Sequence, residues 1–455
     1  MQVPNDYADK HVCIIGLGYV GLTLAVAMAE VGYAVIGIEK NLDVVKTIEQ
    51  GRAPFYEKGL DPRLQAQVDA GRLKVSSDLS LGANCSVFIV TVGTPLVKGQ
   101  KLTELSAIKS VARGITAILK EGDLVILRST VRVGVTRDVV KPIFDEKNVA
   151  YALAFCPERT LEGKALEELR SLPQIIGGID ESSTIRAAQM FSFLTPTTIK
   201  VSSLESAEVI KLINNTQRDL YFAFANEVAH ICDWVGVSAT EVIHAANMGY
   251  ARSNVPLPGP VGGPCLEKDP YILAEGVELR GGTLKLGLTG RALNEDLLVQ
   301  TADRIKHYLA GLTHTTKAPK ISILGLAFKG RPETSDLRGS MAIPLIAELQ
   351  KAMPTATIVG YDPAVHQHEA EALGIKIVET AIDAFNGADV CIFQTNHPAF
   401  ERLPLDTLSN LMTANGLIYD YWNQFSADQY KLSKDTKYAG LGNWINVEKP
   451  AKAYS

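Results

Sequence analysis

The chain predicts an α/β fold, with two parallel-sheet domains joined by a long central helix and a helical middle. Three observations predict it. Before Val201, short apolar runs alternate with helical stretches, the pattern of a parallel sheet with crossover helices. Ser206 to Val235 then runs for 30 residues without Gly or Pro and keeps apolar residues at helical spacing. The strand–helix alternation returns after Thr316.

Taken in order, His11 to Gly16 is an apolar strand that enters a Gly-rich turn, and Leu22 to Val31 is helical. Ala34 to Ile38 is a second strand ending at the acid Glu39. Further strands are expected at Ser86–Val92, Asp123–Leu127 and Ile175–Gly177. In the long helix, Val209, Leu212, Ile213, Leu220, Phe224, Val228 and Ile231 carry the apolar spacing. A Gly/Pro-rich loop follows at Asn254–Pro264, then helix from Leu286 to Leu309. Lys320–Leu324, Ala356–Val359, Ala388–Thr395 and Gly416–Asp420 are the strands of the second α/β segment, a distant echo of the first.

A length of 455 residues suits two or three domains. The formal net charge of −5 gives no electrostatic case for nucleic acid or an anionic membrane as partner. The opening run MQVPNDYADKH lacks a basic stretch followed by an apolar one, so no signal peptide is expected. No run of 18 uncharged apolar residues predicts a membrane-spanning helix. The six cysteines, at 13, 85, 156, 232, 265 and 391, form no CxxC pair and no zinc-ligand spacing, so no metal is expected. Their dispersal fits a reducing, cytoplasmic setting.

Residues 16 to 21 read GLGYVG. Gly16 suits a tight turn, Gly18 the approach of a pyrophosphate, and Gly21 close helix–strand packing. Tyr19 and Val20 lie within this turn as cofactor-binding residues, and the N-terminus of the helix that follows faces the anion. Glu39 ends the second strand 18 residues after Gly21, where an acid accepts from ribose hydroxyls and repels a 2′-phosphate. The cofactor this predicts is NAD.

Residues 259 to 270 read GPVGGPCLEKDP. A helix starting near Pro264 would set Lys268 and Asp269 on the face of the Cys265 thiol and favour thiolate. A buried, inert cysteine is an equal reading from spacing alone.

GLGYVG, VGTP (92–95), RSTV (128–131), PERTLEG (157–163), EVIKLINN (208–215), GGPCLEKDP (262–270) and GLAFKG (325–330) occur in one order along nearly the whole chain. In this it resembles the UDP-glucose/GDP-mannose dehydrogenase family. The resemblance implies an N-terminal NAD-binding Rossmann domain (1–203), a helical dimerisation domain (204–314) and a C-terminal Rossmann-like domain holding a UDP-sugar (315–455). It implies two successive hydride transfers, with Cys265 trapping the aldehyde as a thiohemiacetal that becomes a thioester and is hydrolysed. Lys211 matches the family's oxyanion-stabilising lysine, Asn215 its asparagine partner one turn on, and Asp269 the acid acting with the lysine on a water. Thr130 and Glu158 match further water-handling residues, Glu158 as a general acid/base. Glu162 matches a second acid near the substrate. Thr94 and Pro95 match the turn beside the nicotinamide, and Arg338 an arginine near the NAD pyrophosphate. Lys329 matches a lysine facing the UDP-sugar, and Arg252 an arginine reaching the partner subunit's substrate.

The runs CPERTLEGKALEEL and PGPVGGPC resemble the group acting on UDP-N-acetylhexosamines. UDP-N-acetylmannosamine and UDP-N-acetylglucosamine are therefore favoured over UDP-glucose, with a lean to the mannosamine form. Two positions depart from the family: Asp420 is followed by Tyr421, Trp422 and Asn423 where an arginine is usual, and Pro264 stands where acetyl-sugar members often have His. A single-step hydroxy-acid dehydrogenase could share Lys211 and Asn215 but needs neither Cys265 nor a second α/β domain. A non-catalytic NAD-binding scaffold would retain Gly16, Gly18 and Gly21 but have no reason to keep Cys265, Lys211 and Asp269 together.

Overall fold

The computed structural model describes residues 2–312, 318–425, 430–433 and 435–444. The chain packs as two compact units, one of Met1–Asn214 with Lys268–Leu284, the other of Asn215–Glu267 with Lys285–Ser455. The domain boundary expected at 314–315 lies outside the described residues.

The first unit is built on eight strands: β1 (His11–Ile15), β2 (Ala34–Ile38), β3 (Leu73–Ser76), β4 (Val87–Val90), β5 (Leu124–Leu127), β6 (Ala152–Phe155), β7 (Gln174–Gly178) and β8 (Thr198–Val201). Their order is β3-β2-β1-β4-β5-β6-β7-β8, parallel except where β7 runs against β6. The central strands are apolar at successive positions because both faces are covered. Val12, Ile14, Val87 and Ile89 enter one core, while Cys13, Ile15, Phe88 and Val90 enter the core on the other side.

The second unit repeats the plan with β9 (Lys320–Leu324), β10 (Thr357–Tyr361), β11 (Lys376–Ile377), β12 (Val390–Phe393), β13 (Leu417–Asp420) and β14 (Lys437–Gly440). Its order, β11-β10-β9-β12-β13-β14, is all parallel and matches the first six strands of the other sheet place for place. Both orders are the doubly wound Rossmann arrangement.

The long helix is observed at Leu204–Val235, and the later helix at Leu286–Ala310. One local expectation fails. No single helix runs on from Pro264: a turn of helix at Gly263–Leu266 stops, and a new helix begins at Asp269 and ends at Glu278. Pro270 explains the break, since it has no N–H to close onto the carbonyl of Leu266. Cys265 is consequently exposed while Asp269 is fully buried. Among the described residues, no helix is long and apolar enough to cross a membrane.

Candidate active site

The glycine turn after β1 has the form a dinucleotide needs. Gly16 stands at φ +94°, and its N–H donates to the carbonyl of Ile38 at 2.7 Å. A Cβ on Gly21 would lie 1.8 Å from the carbonyl oxygen of Gly16, so only glycine lets the helix Tyr19–Glu30 start this close to the strand. A Cβ on Gly18 would meet nothing within 4 Å, leaving open backbone at the helix entrance. Glu39 accepts from the N–H of Leu17 at 2.9 Å and of Asn41 at 3.0 Å. A carboxylate takes about four donors, so roughly two acceptor positions remain for a ribose diol. These residues fit NAD.

Tyr19 has a role beyond the turn. Its hydroxyl donates to Glu57, a buried carboxylate that also accepts from the N–H groups of Gly163 (2.8 Å) and Ala165 (2.9 Å). This fastens the segment carrying Glu158 and Glu162 to the start of the first helix. Glu57 was not singled out in the sequence, where it reads as one acid in a loop.

Thr94 is buried and donates its hydroxyl to the carbonyl of Thr130. Pro95, next along, is exposed. Glu158, just beyond β6, is buried against Arg128 at the end of β5. Arg128 donates to Glu158 at 2.5 and 3.2 Å, to the carbonyl of Cys156 at 3.0 Å and to Gln174 at 2.8 Å. Glu158 also accepts from the N–H groups of Arg159 and Thr160 at 2.7 and 2.8 Å. Burial alone would raise its carboxyl. Arg128, the Thr160 N–H and the charge of Lys211 outweigh that and hold it below the usual range. Arg128 opens the RSTV run, yet its anchoring role could not be read without knowing that β5 and β6 are neighbours.

Lys211 is placed by the long helix, one turn before the buried Asn215. Three residues earlier on that helix, Glu208 is fully buried and accepts from the N–H of Gly134 (2.6 Å) and from both the N–H (3.0 Å) and hydroxyl (2.6 Å) of Thr136. Asp269 pairs with Lys268 at 2.9 Å. The helix it opens is tied to neighbouring segments by Glu275, which accepts from the N–H and hydroxyl of Thr103 (2.8 and 2.6 Å) and faces Arg132 at 3.0 Å. The first unit thus gathers the glycine turn, Glu39, Thr94, Pro95, Thr130, Glu158, Glu162, Lys211 and Asp269.

The second unit carries Asn215, Arg252, Cys265, Lys329 and Arg338. Arg252 is exposed, with its guanidinium 4.5 Å from the centre of the Tyr250 ring. Lys329 stands 5.1 Å from the centre of the Phe328 ring. Arg338 is exposed and ion-paired with Asp336 at 2.5 Å. Among the described residues, Cys265 is the exposed cysteine and the other five are buried. Burial pushes the Cys85 thiol up to about 11 and that of Cys156 to about 12. Asp420, where an arginine is expected nearby, is closed by its own turn: it accepts from the N–H groups of Trp422 (3.0 Å) and Gln424 (2.7 Å) and from the Tyr438 hydroxyl (2.9 Å).

Known proteins resemble this chain along most of its length. The UDP-glucose/GDP-mannose dehydrogenase family's NAD binding domain matches residues 10–195, its central domain 205–296 and its UDP binding domain 322–427. A UDP-N-acetyl-D-mannosamine dehydrogenase of Methanococcus maripaludis is 31% identical over 98% of this chain and 100% of its own length. An NDP-N-acetyl-D-galactosaminuronic acid dehydrogenase of Ralstonia nicotianae is 32% identical, covering 89% of this chain and 95% of its own. The solved UDP-D-ManNAc dehydrogenase of Pyrococcus horikoshii superposes with a TM-score of 0.86 at 29% identity, over 95% of this chain and 99% of that one. With its glycine turn, its paired Rossmann sheets and these matches along almost its whole length, the chain belongs to the UDP-glucose/GDP-mannose dehydrogenase family.

Proposed function

We propose that the protein oxidises the C6 hydroxyl of a UDP-N-acetylhexosamine to a carboxylate, a four-electron reaction with Cys265 as nucleophile. The observation that carries the reading is the exposure of Cys265, alone among six cysteines, in a chain of this family. NAD, when bound, accepts a hydride in each of two oxidations.

The remaining work falls to side chains. Cys265 captures the aldehyde, so that it cannot diffuse away before the second oxidation. Lys211 and Asn215 stabilise the oxyanions that develop at C6. Glu158, held ionised by Arg128, suits the accepting side of water handling, with Thr130 and Asp269 orienting the water that hydrolyses the thioester. Glu162, Lys329 and Arg252 contact the sugar nucleotide, and Thr94, Pro95 and Arg338 contact NAD. The names of the relatives from M. maripaludis and P. horikoshii support an acetylated amino sugar, with UDP-N-acetylmannosamine preferred. The proposed domain division is 1–203, 204–314 and 315–455, and the proposed setting is the cytoplasm. The proposed partner is a second copy of the chain, in a homodimer or higher homo-oligomer that joins through the helical middle.

The test is NADH yield per sugar consumed, run with UDP-N-acetylmannosamine, its gluco and galacto epimers, UDP-glucose and GDP-mannose. Two equivalents are expected with an acetylated substrate, and none from Cys265→Ser, which should still bind NAD. One equivalent would sink the four-electron reaction.

A further inference from the structure

The stretch holding Cys265 makes little regular structure of its own. Gly and Pro interrupt it from Asn254 to Pro264, and Pro270 leaves the Leu266 carbonyl without its helical donor. Buried side chains from two helices supply partners instead. Arg291, of the helix Leu286–Ala310, is 0% exposed and donates to the carbonyls of Val261 (3.2 and 3.3 Å) and Leu266 (3.3 Å). Asn226, of the helix Leu204–Val235, grips Gly259 both ways: it donates to the carbonyl at 3.1 Å and accepts from the N–H at 2.8 Å. The two grips are linked. Asn226 donates to Asn294 at 2.9 Å, Asn294 donates to the Asp219 carboxylate at 3.0 Å, and Arg291 donates to that carboxylate at 2.7 Å. From another side, the carbonyl of Gly339 accepts from the N–H of Gly263 at 2.7 Å.

A buried arginine and amides are costly unless fully paired, and well-packed apolar residues would be at least as stabilising. What this cluster adds over an apolar core is a fixed backbone on both sides of one thiol. We propose that Arg291 and Asn226 are positioning residues that hold Cys265 for attack on the aldehyde, a role that rests on the reaction assigned to Cys265 above. In that step the sulfur–carbon bond forms, the carbonyl π bond breaks, and the thiol proton ends on the former carbonyl oxygen, with no change of oxidation state. Misplacing the sulfur by about 1 Å slows such a step by roughly 100-fold.

The test uses Arg291→Lys, which keeps the charge beside Asp219, and Asn226→Ala in the full-length enzyme. Turnover is expressed per bound NAD, NADH is measured per uronate formed, and released aldehyde is trapped with hydroxylamine. Turnover should fall by roughly 10–100-fold with KM for NAD unchanged, and the NADH-to-uronate ratio should rise above two as uncaptured aldehyde escapes. Loss of folded protein lowers both products alike and leaves the ratio at two. A ratio of two in both variants, with turnover normal or reduced only in step with folded protein, overturns the positioning role. One NADH per sugar consumed by the wild type, with aldehyde trapped and no uronate formed, overturns the reaction beneath it.

Discussion

At the scale of single residues, the decisive contacts are buried polar ones. Cys265 could be singled out from its Gly/Pro surroundings and from the family motifs, but spacing alone could not separate it from an inert thiol. Its exposure beside five buried cysteines is a tertiary fact. Arg128, Glu57 and Arg291 went unread for the same reason, since each acts on a segment 25 or more residues away. The Arg128–Glu158 pair makes a prediction about acid. Glu158 titrates below its ordinary 4.5 in the folded chain, so its contribution to stability is present above that pH and lost as pH falls through the lower folded value. Arg128→Met leaves a buried carboxylate unpaired and should cost about 3–5 kcal/mol near neutral pH. The deficit should shrink on acidification, followed by denaturant unfolding at several pH values.

At the scale of elements, apolar periodicity found most of the strands buried on both faces and the two long helices to within a few residues. It missed β3, β8 and β11, sheet edges that leave half or more of their residues outside the core, and it also missed β6 and β14, four-residue strands too short to show a period although mostly buried. It also drew one helix where Pro270 imposes two, because the missing N–H acts four residues upstream of where proline is written. The glycine turn separates fold from binding. Gly21→Ala drives a methyl into the Gly16 carbonyl and should lower the melting temperature of its unit by several degrees, on the order of the 2–4 °C per kcal/mol expected for a folded unit of roughly 150–250 residues. Gly18→Ala meets no protein atom and should melt normally, yet weaken NAD by about tenfold or more where the pyrophosphate approaches. Equal melting of the two variants would show that the close approach at Gly21 is not limiting.

At the scale of the whole molecule, the plan of two α/β ends around a helical middle was legible because each part has its own period. What the sequence could not show is that the polar residues Asp219, Asn226, Arg291 and Asn294 of the helices face inward, or what the outward face does. Tyr221, Phe224, Ile231, Trp234 and Val235 lie exposed at helical spacing on Leu204–Val235, with Trp234 at 74%. Buried in a dimer, such aromatic residues carry much of the binding energy. Phe224→Glu with Trp234→Glu should therefore weaken dimerisation by roughly 100-fold or more, read by sedimentation across a dilution series. A wild type that sediments as a monomer at micromolar concentration would remove this interface.

The two Rossmann sheets also bear comparison turn by turn. Their opening turns are near copies: Gly325 takes φ +96° as Gly16 takes +94°, and its N–H reaches the Tyr361 carbonyl at 2.8 Å. The acids that follow differ. Asp362 accepts from the N–H groups of Leu326, Ala327, Ala364 and Val365, which fills the roughly four places a carboxylate has. Glu39 is half filled. Two turns alike in fold therefore differ in chemistry: the Glu39 carboxylate keeps acceptor capacity that a ribose diol could use, and the Asp362 carboxylate spends its own on holding the turn closed.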